Sequence, residues 1–361
     1  MSRTSLLYYT FALLAVVLGF YACERNDGEP TLDMRQFTRL YVSFEEYRRP
    51  DQPPADTNLR IIYPADSSEF TFNGRHVSSV KGGGVMHFAH IASEVRAIFH
   101  ASVNRAGTHD TLISILNVGS SGSVTNAGLL GSRYYNNVKG MVYHQAANVL
   151  YVVNGTGPDA GVYVVESPRY STREKQPVKK LRNASLNMWG AAYENDRLFA
   201  SKTTAPGGIY VFEGITRMEV NSQDSIGLLD YARILKIEDA TGLRGLFYDT
   251  VNNVMAVTDA SDIGRILIFE DFSSMVGSET PITPTRIITG TNTGLVRPVD
   301  VVIDTREEGA YLYVVDNSAR KISRFLLTDN GDVEPNKVIN TSDLQYGRTP
   351  VSLALDTRSL N

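Results

Sequence analysis

A unit of about 53 residues recurs through most of this 361-residue chain. Each copy begins near a basic residue, passes through a short apolar run that ends at a turn, and returns in a second apolar run. Segment 243–259, LRGLFYDTVNNVMAVTD, shows the pattern, and segment 297–316, RPVDVVIDTREEGAYLYVVD, repeats it. The residues that lead the six turns, at steps of 54, 50, 55, 55 and 52 positions, are His90, His144, Glu194, Asp249, Asp304 and Asp356. Such a fixed period indicates a repeat architecture.

The rest of each unit predicts that it is a small antiparallel sheet. A third run follows, such as GRILIFE from Gly264, and then a more polar fourth run, such as PTRIITG from Pro284. The runs are short, rich in Val, Ile, Tyr and Phe, and bounded by Gly, Asn and Asp, as is typical of strands and turns. Four such strands repeated six times predict an all-β, six-bladed β-propeller of four-stranded antiparallel blades. The first run, the most apolar, is predicted to be the innermost strand.

The two ends of the chain are predicted to share one blade. The last copy stops at Asn361 after its first run, and the three missing runs occur near the N-terminus. They are RLYVSFEEY from Arg39, NLRIIYPA from Asn58 and EFTFNGRHV from Glu69. Joining one C-terminal strand to three N-terminal strands would close the ring and remove two open sheet edges. The propeller domain is therefore expected to span residues 37–361.

The blade pattern resembles that of NHL-repeat and related six-bladed propellers. A Gly or Pro, an apolar run that ends in Asp, then LYVVD, and then a segment of the form RIxxF carry the likeness, best seen in 297–325, where that last segment is KISRF. The resemblance implies the fold but no single activity, since these propellers include calcium-dependent lactonases, sensor domains and binding modules.

The N-terminus resembles a bacterial lipoprotein signal. Arg3 precedes an apolar run of 17 residues from Leu6 to Ala22, and Cys23, the one cysteine of the chain, follows at once. The residues before Cys23 match the lipoprotein signal loosely, and in this they resemble Bacteroidetes-type lipoproteins. It predicts a signal peptide over 1–22, lipidation of Cys23, a polar tether over 23–36, and a chain anchored in the bacterial cell envelope, in the outer membrane, facing the periplasm or the surface. An uncleaved anchor or plain secretion is the alternative.

Composition and motifs exclude several functions. The chain has 35 Lys and Arg against 39 Asp and Glu, a net charge of −4, so no overall basic field favours nucleic acid. One cysteine permits neither an intrachain disulfide nor a cysteine zinc site. The sequence contains no GxSxG elbow and no P-loop, and NGTGPDAG from Asn154 is interpreted as a hairpin turn.

Polar residues close the second run of each unit, and they predict a ring at one face. The residues are Glu45, His100, Asn154, Lys202, Asp259 and Asp316. In lactonase-like propellers, Asn and acidic side chains of this kind hold calcium in the channel, so the resemblance implies that Asn154, Asp259 and Asp316 could bind Ca²⁺. The alternative is that each residue caps its own turn.

Basic residues stand just before the innermost run of five units, and Trp stands there in the sixth. These six positions are Lys81, Lys139, Trp189, Arg244, Arg297 and Arg348. We expect them to surround the mouth of the channel and to bind an anionic ligand, unless they pair with Asp259 and Asp316 between blades. The favoured function is a non-catalytic module that binds a small molecule, glycan or protein, and the alternative is a calcium-dependent lactonase-like hydrolase.

Overall fold

The structure, a computed structural model, describes residues 37–45, 57–92, 95–104, 110–170, 172–344 and 348–358. Cys23, the predicted signal peptide and the predicted tether lie outside these residues. The described residues between Thr38 and Thr357 belong to one compact unit. In the described part of the chain, no helix has the length and apolar character needed to cross a bilayer.

Six β-sheets make up the described fold, as the repeat predicts. Blade 1 is β26(Pro350–Arg358), β1(Phe37–Phe44), β2(Leu59–Ile62) and β3(Phe72–His76); blade 2 is β4(Gly83–Ala92), β5(Val95–Ser102), β6(Leu112–Val118) and β7(Val124–Gly131). Blade 3 is β8(Val138–His144), β9(Val149–Asn154), β10(Gly161–Glu166) and β12(Lys179–Arg182); blade 4 is β13(Met188–Glu194), β14(Arg197–Lys202), β15(Gly208–Glu213) and β17(Arg233–Lys236). Blade 5 is β18(Leu243–Asp249), β19(Val254–Asp259), β20(Arg265–Phe269) and β21(Arg286–Thr289); blade 6 is β22(Pro298–Ile303), β23(Tyr311–Asp316), β24(Lys321–Leu326) and β25(Lys337–Asn340).

Helix is almost absent from the described residues. A one-turn α-helix covers Phe272–Met275, and two 3₁₀ turns cover Pro168–Tyr170 and Thr341–Asp343. The fold is therefore all-β, and each blade has the antiparallel four-strand core that the sequence predicts.

Closure of the ring also follows the prediction. β26 pairs with β1, so the last strand of the chain is the innermost strand of a blade completed by β1, β2 and β3. At the end of this pair the Glu45 backbone N–H donates to the Thr349 carbonyl at 3.0 Å. Arg306 of blade 6 reaches Asp66 of blade 1 at 2.7 Å, which adds a side-chain link across the junction between first and last blades.

The innermost position of the first run is confirmed, but the deepest burial belongs to the second strand. All six residues of β9 and of β19 are buried, whereas β8 and β13 alternate between buried and half-buried residues. The second strand packs against sheets on both faces, while the first strand borders the channel along one edge. Apolar composition therefore identifies the innermost strand correctly, although the most deeply buried strand of the blade is the second one.

Two blades carry a fifth strand, which the four-strand repeat does not predict. β11(Thr172–Glu174), from the chain of blade 3, pairs in parallel with β7 of blade 2, and β16(Ile226–Leu228), from blade 4, pairs in parallel with β12 of blade 3. Single parallel bridges Ile237–Ile282 and Ile288–Gly331 repeat the device on blades 4 and 5. The link between the third and fourth strands of one blade thus covers the outer edge of the preceding blade.

Candidate ligand site in the central channel

The strand register defines one equivalent position in each inner strand. Val138 faces Asn154, Met188 faces Lys202, and Leu243 faces Asp259. The next residue in each inner strand is then Lys139, Trp189 or Arg244, so these three of the six predicted residues are structurally equivalent. A register shift typical of a β-bulge lies at or directly after each of these residues, and such a bulge redirects the side chains beside it.

The other three predicted residues are not equivalent to these. Pro298 faces Asp316, and Gly83 faces Ser102, so Arg297 and Lys81 precede their inner strands instead of lying within them. Arg348 likewise precedes β26, is buried, and donates to the Thr57 carbonyl at 3.3 Å. Alignment by sequence alone was therefore wrong by two or three positions in these blades, because it could not place the bulge.

Lys139, Trp189 and Arg244 form a stack. The Lys139 Nζ lies 4.5 Å from the centre of the Trp189 ring, and the Arg244 guanidinium carbon lies 4.4 Å from it. Because β8 and β18 flank β13 on opposite sides, the two cations approach the indole from opposite sides. We call these three residues the tryptophan clamp. Each cation–π contact of this kind contributes about 0.5–1 kcal/mol at an exposed site.

The clamp holds positive charge without a carboxylate beside it. In the described part of the chain, no carboxylate oxygen lies within 4.0 Å of Lys139 or Arg244. Burial lowers the pKa of Lys139, and the charge of Arg244 lowers it further, while Glu45 opposes both effects. Burial also lowers the pKa of Arg244, with a smaller effect from the charge of Arg297.

The expected pairing of these cations with the acids of the neighbouring blades does not occur. Asp259 Oδ2 pairs with Arg265 of its own blade at 2.5 Å, and its other oxygen accepts the Gly242 N–H at 3.0 Å. Asp316 accepts the backbone N–H groups of Val296 and Arg297 at 2.6 and 2.7 Å. The two acids therefore hold the loops at the channel mouth and leave the clamp unneutralised.

The three residues proposed for calcium are engaged within their own blades. Asn154 donates to Asn136 at 3.0 Å and also to the Tyr134 carbonyl, and like Asp259 and Asp316 it is buried. Among the described residues, no three His, Cys, Asp or Glu side chains form a group that could hold a metal ion. Asp259 and Asp316 cap their own turns, accepting the Ser261 N–H at 3.2 Å and the Ala319 N–H at 2.8 Å, whereas Asn154 mainly holds the loop that precedes β8.

Two further members of the predicted polar ring are also structural. His100 is fully buried between the hydroxyls of Ser43 and Ser78, each 2.8 Å from a ring nitrogen. Burial lowers the pKa of His100 to about 3, so the ring is neutral and one of its nitrogens accepts. Lys202 Nζ donates at 2.7 Å to the carbonyls of Thr204 and Pro206 in its own loop.

A cavity of about 530 Å³ occupies the channel and is bordered by all six inner strands. Lys139 and Trp189 border it, with Glu45, at the end where the inner strands begin. Tyr143, Tyr193 and Tyr248 border it near the end where those strands finish. The hydroxyls of Tyr143 and Tyr248 donate to the turn residues Asn148 and Asn253, each at 2.9 Å, so they support turns there.

One acid of the channel wall was missed by sequence reasoning. Asp300 of β22 borders the cavity, and its Oδ2 accepts from the Ser352 hydroxyl at 2.6 Å and the Leu353 N–H at 2.9 Å. Its Oδ1 accepts the Val301 N–H at 3.0 Å. Burial raises the pKa of Asp300 to about 6, against the opposing effect of these hydrogen bonds. A sequence signal existed, because Asp300 stands where the other copies have Gly140, Gly190 and Gly245.

Those glycines allow inner strands to approach closely. A Cβ on Gly190 would lie 2.9 Å from both the backbone N and the Cβ of Leu246, and the φ of Gly190 is +58°. A Cβ on Gly140 would lie 2.5 Å from the Gly190 carbonyl oxygen. No ordinary side chain fits these positions without movement of the neighbouring strand. The clamp residues are therefore spaced by a backbone contact that requires glycine.

No protein-family model matches the chain, and no curated protein matches it. Among solved structures, the chain is similar to the WD40 β-propeller domain of Doa1, with 10% sequence identity, a TM-score of 0.40, and coverage of 72% of this chain and 70% of that one.

Proposed function

We propose that this chain is a cell-envelope lipoprotein whose propeller is a non-catalytic binding module for an anionic ligand. The observation that carries the binding proposal is the tryptophan clamp. Two half-buried cations flank Trp189, line or adjoin the cavity, and lack a carboxylate within 4.0 Å in the described residues. Partly buried like charges oppose one another, and an anion bound beside either cation would reduce that repulsion.

The clamp supports recognition of a carboxylate or phosphate group. Arg244 can donate two parallel hydrogen bonds to either group, and Lys139 adds a point charge on the other side of the indole. Trp189 has its ring covered by the two cations, so it positions the donors instead of offering a free face to a sugar. Arg297, which is exposed and near enough to lower the pKa of Arg244, extends the positive field outward.

The test is anion binding to the parent propeller and to Arg244→Gln, by titration calorimetry with phosphate, acetate and uronates at several salt concentrations. We expect the variant to bind on the order of tenfold more weakly, since a hydrogen bond to a charged group contributes about 1.5–3 kcal/mol. Lys236→Gln, which removes an exposed charge on outer strand β17, is the matched control and should bind as the parent does. If no anion binds the parent, the proposed function is wrong.

The lipoprotein part rests on the sequence around Cys23, outside the described residues. Cys23→Ser should abolish fatty-acid labelling and release the chain from membranes in a bacterial host. Labelling that persists in the variant would contradict this part alone, because the channel site is tested on the propeller.

A further inference from the structure

Charged groups of opposite sign lie on opposing walls of the channel. Inner strand contacts run in order from β4 to β8, β13, β18 and β22, and Ser352 of β26 joins β22 to β4. In this ring of six, β8 and β22 are three places apart. Lys139 of β8 and Asp300 of β22 therefore border the same cavity from opposite sides.

Among the described residues, neither Lys139 nor Asp300 has an oppositely charged partner. The donors to Asp300 are a hydroxyl and two backbone N–H groups, and none of them carries a charge. Across the described residues, no cationic group lies within 4.0 Å of Asp300, and no carboxylate lies that close to Lys139 or Arg244. A cavity of about 530 Å³ lies between Lys139 and Asp300, a size in the range of small-molecule sites.

Separated charges of this kind fit a ligand that carries both signs. Each wall bears the cost of partly desolvating a charge without the attraction of a close partner. A simple anion would satisfy only the clamp, and a simple cation only Asp300. A molecule with an anionic group and an ammonium group would satisfy both at once.

We propose that the channel binds a small zwitterion, with its carboxylate or phosphate on Lys139 and its ammonium group on Asp300. This inference rests on the proposed function, because it assigns the second half of the ligand that the clamp receives. Asp300 then determines specificity. The carboxylate already held by Ser352 and Leu353 N–H is fixed in position, so it can select among ligands by the separation of their charges.

The experiment measures calorimetric affinity for ω-amino acids of increasing length and for acids that lack the amine. Probes are glycine, 4-aminobutanoate and 6-aminohexanoate, matched with acetate, butanoate and hexanoate, and butylamine represents the ammonium group alone. We expect one amino acid to bind at least tenfold more tightly than its matched acid and than butylamine. Asp300→Asn should remove that advantage and leave the affinity for the matched acid within about twofold. Lys139→Gln should weaken both members of the pair.

The outcomes separate the two proposals. If the acids bind as tightly as the amino acids at every length, the zwitterion inference is wrong and the anion site stands. If no acid or amino acid binds, the zwitterion inference is wrong, and the titrations with phosphate and uronates decide whether the anion site stands. A thermal melt reports whether Asp300→Asn folds. Ser352→Ala is the second variant, because it keeps the Asp300 carboxylate and removes only the hydrogen bond from the Ser352 hydroxyl. A preserved amino-acid preference in a folded Asp300→Asn protein also overturns the inference.

Discussion

The channel wall has two halves that join their inner strands in different ways. From β22 through β26 and β4 to β8, side chains make the connection: Asp300 accepts the Leu353 N–H at 2.9 Å, Ser352 accepts the Met86 N–H at 2.9 Å, and His87 accepts the Tyr143 N–H at 3.0 Å. From β8 through β13 and β18 to β22, the glycines Gly140, Gly190 and Gly245 bring backbones together.

The difference shows how a repeat produces a single site. In both halves, each blade contributes one inner strand, and most of these strands carry a bulge near their start. The propeller can therefore form with either kind of connection. In the glycine half, the neighbouring position is free to carry Lys139, Trp189 and Arg244. In the other half, polar side chains join the strands, and one of them, Asp300, also borders the cavity. The candidate site therefore arises at positions where the inner strands of the six repeats carry different residues.

The largest expected effect comes from Gly190→Ala, which places a Cβ in the glycine half. The new atom would lie 2.9 Å from Leu246 at a φ of +58°, so both crowding and backbone strain oppose folding. We expect a loss of unfolding free energy on the order of 2–4 kcal/mol, measured by denaturant titration.

Gly277→Ala is the matched control, because no heavy atom lies within 4 Å of its added Cβ and its φ is not positive. It should change stability by no more than about 0.5 kcal/mol. Equal stability of the two alanine variants would show that close approach is not needed in the glycine half.

The next effect concerns Asp300 and pH. Its pKa in the folded chain is about 6, above the ordinary value of 3.8, so folding favours the protonated form. The resulting stabilisation is present in acid and is lost as the pH rises through about 6, with a full amplitude of about 3 kcal/mol at most. Asp300→Asn should remove this dependence.

The buried histidines act in the opposite direction, so the comparison must be made between variants. Burial lowers the pKa of His87 to about 4 and that of His100 to about 3, and their contribution is lost as the pH falls below 6.5. Subtracting the Asp300→Asn profile from that of the parent cancels these terms. A flat difference between pH 4 and 8 would mean that Asp300 is not protonated more readily in the folded chain.

The sequence was sufficient for the architecture because strand and turn signals repeat in every unit. Six blades, their inner strands and the shared blade at the chain ends all follow from local pattern and period. The parallel strands β11 and β16 could not be predicted, since their partners belong to another blade. The basic rim was predicted in part: Lys139, Trp189 and Arg244 converge, whereas Arg348 is buried. Bulges shift the strand register by whole residues. Asp300 can therefore be aligned with the glycines of the other inner strands only after the bulges have been located.

The smallest expected effect on stability, and the most direct test of the clamp, is Trp189→Leu. The change removes two cation–π contacts at 4.5 and 4.4 Å and leaves both cations in place. We expect a loss of about 1–2 kcal/mol in unfolding free energy. Because net charge is unchanged, the salt dependence of anion binding should stay as in the parent, while affinity falls as the donors lose their fixed positions. Arg244→Gln should instead reduce both affinity and salt dependence. If Trp189→Leu binds anions as the parent does, the indole only fills space, and the cations of the glycine half act without it.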